Sequence, residues 1–204
     1  MPQDAVKTAH GPRYAAAVGD RRDVQALVLV DMQSAFVAGS EAVPSAAGLL
    51  AVVAGLLRAA RASDALVVHV QNDGPAGAVD EPGSPGWQLH LPIARRGKEV
   101  VVRKSGDDGF ESTDLAGVLA RHGIERLAVC GVMSEMCVSA TARSALARGY
   151  RVILPHDGHA TYDIPALAGI AEMVPHTMVS RVAEWALGSE IDIIAHAADI
   201  RFEH

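Results

Sequence analysis

Continuous apolar runs recur along the chain at 26–30, 65–70, 99–103, 126–131, 150–154 and 192–195. Unbroken apolarity, without a polar residue at every second place, is what strands covered on both faces require. Between these runs the period lengthens. Leu49, Val53, Leu56, Leu57 and Ala60 share one face of a helix predicted over 45–62. Ser112 and Thr113 precede, and Gly123 stops, a helix ending near His122. Further helices are predicted over 135–148, stopped by Gly149, and over 165–186. Strands alternating with helices predict a parallel sheet with right-handed crossovers.

Two stretches lack either period. Residues 1–24 read as an N-terminal arm, leaving 25–204 as one domain. Residues 71–98 carry Pro75, Pro82, Pro85 and Pro92 with five glycines, and irregular segments of that length are usually functional or disordered.

Composition narrows the classes. The 204 residues are 50% hydrophobic and 21% charged, a globular balance, and with 4% aromatics the core must be aliphatic. The net charge of −6, with no basic run longer than two residues, argues against nucleic acid or an anionic membrane as partner. No apolar run approaches the ~20 residues of a bilayer span, and the charged first 23 residues do not read as a signal peptide. Cys130 and Cys137, spaced C-x6-C, make neither a disulfide framework nor a redox or zinc motif. The expectation is a soluble cytoplasmic protein with reduced thiols.

In open parallel sheets, ligands sit at the carboxyl ends of strands. Three such ends carry reactive groups: Asp31 after the first run, Lys104 after the third, and Cys137 shortly after the fourth. With Ser134 as N-cap, Cys137 falls at the third helical position, close to unpaired N–H groups and the positive end of the helix dipole. That setting favours the thiolate and supplies donors for an oxyanion. Lys104 would stabilise the thiolate, and Asp31 would take the thiol proton and return it to a leaving amine. Cys130, inside an apolar run, reads as core, and His69 as a hydrogen-bonded core residue. His156 and His159 are candidates for metal or substrate, with a loop or interface role preferred. Trp87, an aromatic within the Gly/Pro-rich loop, is a candidate pocket or interface residue. Nucleotide, zincin and serine-elbow motifs do not occur.

These residues resemble the isochorismatase-like cysteine hydrolases over roughly 25–187. The segment 27–36 is similar to an apolar strand followed by D-x-Q-x-x-F. Arg103-Lys104, with Phe110 and Thr113-Asp114-Leu115, resembles the lysine segment. Residues 131–145 resemble G-V-x-T-x-x-C-V-x-x-T-A-x-x-A, and 157–163 the segment after the fifth strand. The resemblance implies a doubly wound, Rossmann-like three-layer αβα sandwich with a six-stranded parallel sheet, assembled as a homo-oligomer (dimer or tetramer). It implies Asp31 as base, Lys104 as electrostatic partner and Cys137 as nucleophile. It also implies a cis peptide between Val132 and Met133, with the N–H groups of Met133 and Cys137 as the oxyanion hole, and Phe36 in the pocket wall beside Trp87. Gln33 is expected to fix the turn after the first strand. Residues 37–64 hold no histidine, so the metal set of the nicotinamidase branch is missing, and neither metal nor cofactor is expected. The cysteine favours C–N cleavage of a small amide, carbamoyl or lactam compound through a thioester. The alternatives are vinyl-ether hydrolysis of an isochorismate-like acid and a non-catalytic doubly wound binding protein.

Overall fold

The computed structural model describes residues 23–94 and 97–203, together with the backbone of Arg13 and Tyr14. The arm expected over 1–24 therefore lies largely outside the described residues. In chain order the elements are β1 (Arg13–Tyr14), β2 (Asp23–Val24), β3 (Ala26–Val30), α1 (Ser34–Val37), α2 (Ala46–Ala62), β4 (Leu66–Asn72), β5 (Glu99–Lys104), α3 (Leu115–Arg121), β6 (Arg126–Val132), a π-helical turn (Ser134–Val138), α4 (Ser139–Ala147), β7 (Arg151–Pro155), a 3-10 turn (His156–Gly158), β8 (His159–Ala160), α5 (His176–Ala186), β9 (Asp192–Ile194), a second 3-10 turn (Ala197–Asp199) and β10 (Arg201–Phe202).

The main sheet runs β1-β9-β7-β6-β3-β4-β5, with β8 also paired to β6. Every pair is parallel. Its six principal strands are the six predicted from the apolar runs. The count of six is short by two two-residue strands, β1 and β8, which are too brief to leave a pattern in the sequence. Strand order reverses between β3 and β6, which places the switch point beside Asp31 and the turn that follows Val132.

Alternate residues of the central strand face opposite layers. Leu27 and Leu29 join Leu49, Val53, Leu56 and Leu57 of α2 in one core. Val28 and Val30 join Leu115, Val118 and Leu119 of α3 and Ala142 and Ala145 of α4 in the other. A polar residue on either side of β3 would meet packed helix, hence the unbroken apolar run.

The helix predicted over 165–186 is a correction: only His176–Ala186 is helical. Pro165, Gly169 and Pro175 interrupt the first half, where antiparallel bridges join Ile164 to Val174 and Leu167 to Ala171. Ile164, Leu167, Ile170 and Met173 are exposed, so their spacing marks no core face. Among the described residues no helix is long and apolar enough to cross a membrane.

Candidate active site

Asp31 leaves β3 with φ at 51°, a left-handed conformation that Asp adopts more readily than most residues. Its N–H donates to the Val70 carbonyl at 2.9 Å, so the start of the turn is tied to β4. Lys104 closes β5, in register with Asn72 of β4. Its long stem carries the ammonium past the end of β4 to Asp31. Cys137 reaches the same place from β6. At Gly131 φ is 130°, and a Cβ there would stand 2.0 Å from the Val30 carbonyl oxygen; only glycine lets β6 pass β3 this closely. The Val132–Met133 peptide is cis. The Met133 carbonyl accepts from the N–H groups of Met136 and Val138.

The three strand ends meet at one ammonium. Lys104 Nζ lies 2.8 Å from Asp31 Oδ2, 3.3 Å from Cys137 Sγ, 3.0 Å from the Gly106 carbonyl and 3.3 Å from Asn72 Oδ1. Asp31 and Lys104 are buried, whereas Cys137 is half-exposed. Asp31 Oδ1 is buried without a hydrogen-bond partner, the one such side-chain atom among the described residues. An acceptor in that state is poised to take a proton.

Burial pushes the Cys137 thiol up, the charge of Asp31 pushes it further, and Lys104 offsets only part of this. Asp31 is also raised by burial, against the opposing pull of Lys104 and a bond with the thiol. Burial alone would lower Lys104, but the charges of Asp31 and Cys137 outweigh it and hold the ammonium above its ordinary range. Desolvation and the Asp31 charge thus act against the thiolate expected at the start of this turn, and the Lys104 ammonium acts for it.

Ser134 is a second correction. It opens the π turn, whose flanking residue is Met133 in extended conformation with no side-chain cap. The Ser134 hydroxyl is buried and bonds His159 Nδ1 at 2.8 Å and Ser180 Oγ at 2.9 Å.

Gln33 locks the loop as expected. Its Nε2 donates to the carbonyls of Asn72 and Trp87, and its Oε1 accepts the Asn72 N–H. Trp87 donates its indole N–H to Asp73 Oδ1 at 2.9 Å and lies 5.0 Å from the Arg103 guanidinium, directly beside the β5 end. Phe36 is half-buried against the α2-side core. Cys130 and His69 are core residues, His69 with Nε2 3.2 Å from Glu99.

Three participants were missed in the sequence. Asn72 bridges Lys104 to the buried Asp80, which accepts its Nδ2 at 2.6 Å. Gly106 supplies its carbonyl, and Asp107 Oδ1 stands 3.7 Å from Sγ. Asn72 is the strand-end residue in register with Lys104, a signal that only strand pairing reveals. His156 and His159, candidates for metal or substrate with a loop or interface role preferred, share Glu184.

Residues 25–184 match the family model for the isochorismatase domain. A streptothricin hydrolase from Streptomyces noursei is 60% identical over 181 residues, covering 89% of this chain and 72% of that one. The chain spans 65% of a second streptothricin hydrolase from the same organism. Among solved structures, an isochorismatase from Pseudomonas putida KT2440 superposes with a TM-score of 0.76 at 29% identity, covering 90% of this chain and 93% of that one. An N-carbamoylsarcosine amidase from Thermoplasma acidophilum superposes at 0.67 with 25% identity, covering 86% and 97%. With the family match spanning most of the chain on this fold, the protein belongs to the isochorismatase-like hydrolases.

Proposed function

We propose that the protein cleaves a C–N bond in a small amide, carbamoyl or lactam compound through a thioester on Cys137, with Asp31 and Lys104 as its partners and no metal at the reacting centre. The observation that carries this reading is Lys104 Nζ, in contact with both Asp31 Oδ2 and Cys137 Sγ.

Asp31 takes the thiol proton as Sγ attacks the substrate carbonyl. The N–H groups of Met133 and Cys137 donate to the oxyanion. Collapse breaks the C–N bond, and the Asp31 proton passes to the departing nitrogen. Asp31, again a carboxylate, deprotonates a water that attacks the thioester; the carboxylic acid leaves and Sγ regains its proton. Lys104 remains charged throughout, holding Asp31 in place and stabilising negative charge on sulfur. Phe36 and Trp87 line the substrate side.

Likeness to streptothricin hydrolase supports streptothricin as the first substrate to test. Incubation should give either one product heavier by a water, if a lactam opens, or two products whose masses sum to substrate plus water, and rapid quenching should leave an acyl adduct on the Cys137 peptide. Full turnover by Cys137→Ala, or an adduct on Cys130, overturns the reading. The proposal includes a homo-oligomer of two or four chains, supported by the exposed Ile170, Val182 and Trp185. Light scattering on the purified protein tests it, and a monomer refutes it. A cytoplasmic location belongs to the same reading, supported by two unpaired cysteines.

A further inference from the structure

Apart from Asp31, Lys104 and Cys137, three metal-ligating side chains converge at the other side of the nucleophile turn. His156 opens the 3-10 turn after β7, His159 begins β8, and Glu184 stands in the last turn of α5. His156 Nδ1 lies 2.5 Å from Glu184 Oε1, and His159 Nε2 lies 3.2 Å from the same oxygen. All three ligand atoms fall within 4.8 Å of one another. The side chains of His159 and Glu184 are 1% exposed, that of His156 49%. His156, His159, His176 and Ser180 line a cavity of about 300 Å³, so the two histidines of the cluster face open volume.

We propose that His156 Nδ1, His159 Nε2 and Glu184 Oε1 form a binding site for a divalent cation of the zinc class, with its remaining coordination position open to this cavity. Two imidazoles and one carboxylate are a zinc donor set, with bonds of ~2.0–2.2 Å. Ligand atoms around a tetrahedral ion at that range stand roughly 3.3 Å apart. The His159–Glu184 separation already meets this, and the half-exposed His156 has room for the remaining adjustment. Magnesium and calcium prefer all-oxygen shells and are poorly served by two imidazoles.

The surroundings accommodate the change in protons. Each imidazole must offer a lone pair to the ion and keep its proton on the other nitrogen. For His156 that nitrogen is Nε2, on its half-exposed ring. For His159 it is Nδ1, which then donates to Ser134 Oγ, and Ser134 donates in turn to Ser180 Oγ. No buried donor loses its acceptor, and His159 gains the oriented partner typical of metal-bound histidines. Glu184 Oε2 is held by Arg181 Nη1 at 3.2 Å, which leaves Oε1 for the ion. Because Ser134 begins the turn that carries Cys137, occupancy would fix the turn from behind.

The test uses the 204-residue chain carrying Cys137→Ala, so that the thiol cannot ligate and the outcome does not depend on the proposed reaction. After treatment with chelator and its removal, ZnCl₂ is titrated calorimetrically and CoCl₂ by visible absorption. One Zn²⁺ per chain is expected, with a cobalt ligand-field band and no thiolate charge-transfer band. Adding His156→Asn, with its melting curve recorded to show that the variant is folded, should weaken Zn²⁺ binding at least about tenfold. No Zn²⁺ binding, or binding unchanged by His156→Asn, overturns the site and leaves His156, Glu184 and His159 as a hydrogen-bonded network alone.

Discussion

Lys104 Nζ and Asp31 Oδ2 are 2.8 Å apart with side chains 0% and 2% exposed, so the pair is held out of water at the point where three strands end. Removing one member of a buried pair leaves the other uncompensated and costs about 3–5 kcal/mol, whereas removing both is far milder. Lys104→Met should therefore lower unfolding stability by about 3 kcal/mol. The double variant Asp31→Asn/Lys104→Met should recover most of that loss. Urea denaturation at pH 7 measures both. Additive losses in the double variant would mean that the two charges do not support one another.

The same geometry separates chemistry from acidity at Cys137. Asp31 raises the thiol's pKa by its charge, after burial, while Lys104 lowers it. Asp31→Asn removes a raising influence and leaves the ammonium. The thiol of this variant should therefore react faster with iodoacetamide near pH 8 than that of the native protein, the alkylation profile shifting to lower pH. Turnover should nevertheless fall by at least about a hundredfold, because in the proposed mechanism Asp31 carries the proton to the leaving nitrogen. Slower alkylation in Asp31→Asn would contradict the charge arrangement.

Trp87 reaches the β5 end through Asp73 and Arg103, which places its ring beside the strand that ends in Lys104. Trp87→Ala should raise KM about tenfold with little change in kcat, as expected when binding common to the ground and transition states is removed. Steady-state kinetics on the hydrolysed substrate checks this. A fall in kcat with KM unchanged would instead assign Trp87 to ordering the catalytic residues.

The strand ends were legible because chemistry at a sheet edge interrupts an otherwise apolar run. Asp31 is conspicuous after Ala26–Val30, and Lys104 and Cys137 follow their runs in the same way. Sequence spacing carries no information about desolvation, so the position of Cys137 gives no sign that burial works against the thiolate expected there. Ser134 has the residue type of a cap, yet its hydroxyl is drawn into the His159–Ser180 contacts that form only in three dimensions. Glu184 lies 25 residues beyond His159, and nothing in helical periodicity announces that one carboxylate serves two histidines. The exposed apolar residues of 164–173 imitate a helix because periodicity cannot distinguish an apolar side chain facing a core from one facing outward.

Glu99 is held by Arg61 Nε at 2.6 Å, the Ala94 N–H at 3.0 Å and His69 Nε2 at 3.2 Å. Burial would raise its carboxyl, but these donors together hold it near 2, against an ordinary 4.5. A depressed carboxylate stabilises the fold fully above the unfolded value and loses that contribution as pH falls toward the folded one. Between pH 7 and pH 3 the native protein should lose about 2 kcal/mol more stability than Glu99→Gln. Urea midpoints at the two pH values give the comparison, and parallel losses would show that Glu99 titrates normally.

Gly131 makes the close passage of β6 and β3 possible, and it lies between the apolar strand and the cis peptide that leads to Cys137. In Gly131→Ala the new methyl carbon would fall 2.0 Å from the Val30 carbonyl oxygen, at a φ of 130° that L side chains rarely adopt. The clashing atom is Val30 backbone, which precedes Asp31, so relief must come by moving either Asp31 or the turn that carries Cys137. The variant should be destabilised by about 3 kcal/mol or more. Any folded fraction should lose activity more than tenfold, since misplacing reacting groups by 1 Å costs about a hundredfold. Thermal melting gives the first quantity, and turnover per mole of titrated Cys137 the second. A variant with native melting and native turnover would show that the two strands separate freely at this point, and that their close approach is not what brings Asp31 and Cys137 to the same ammonium.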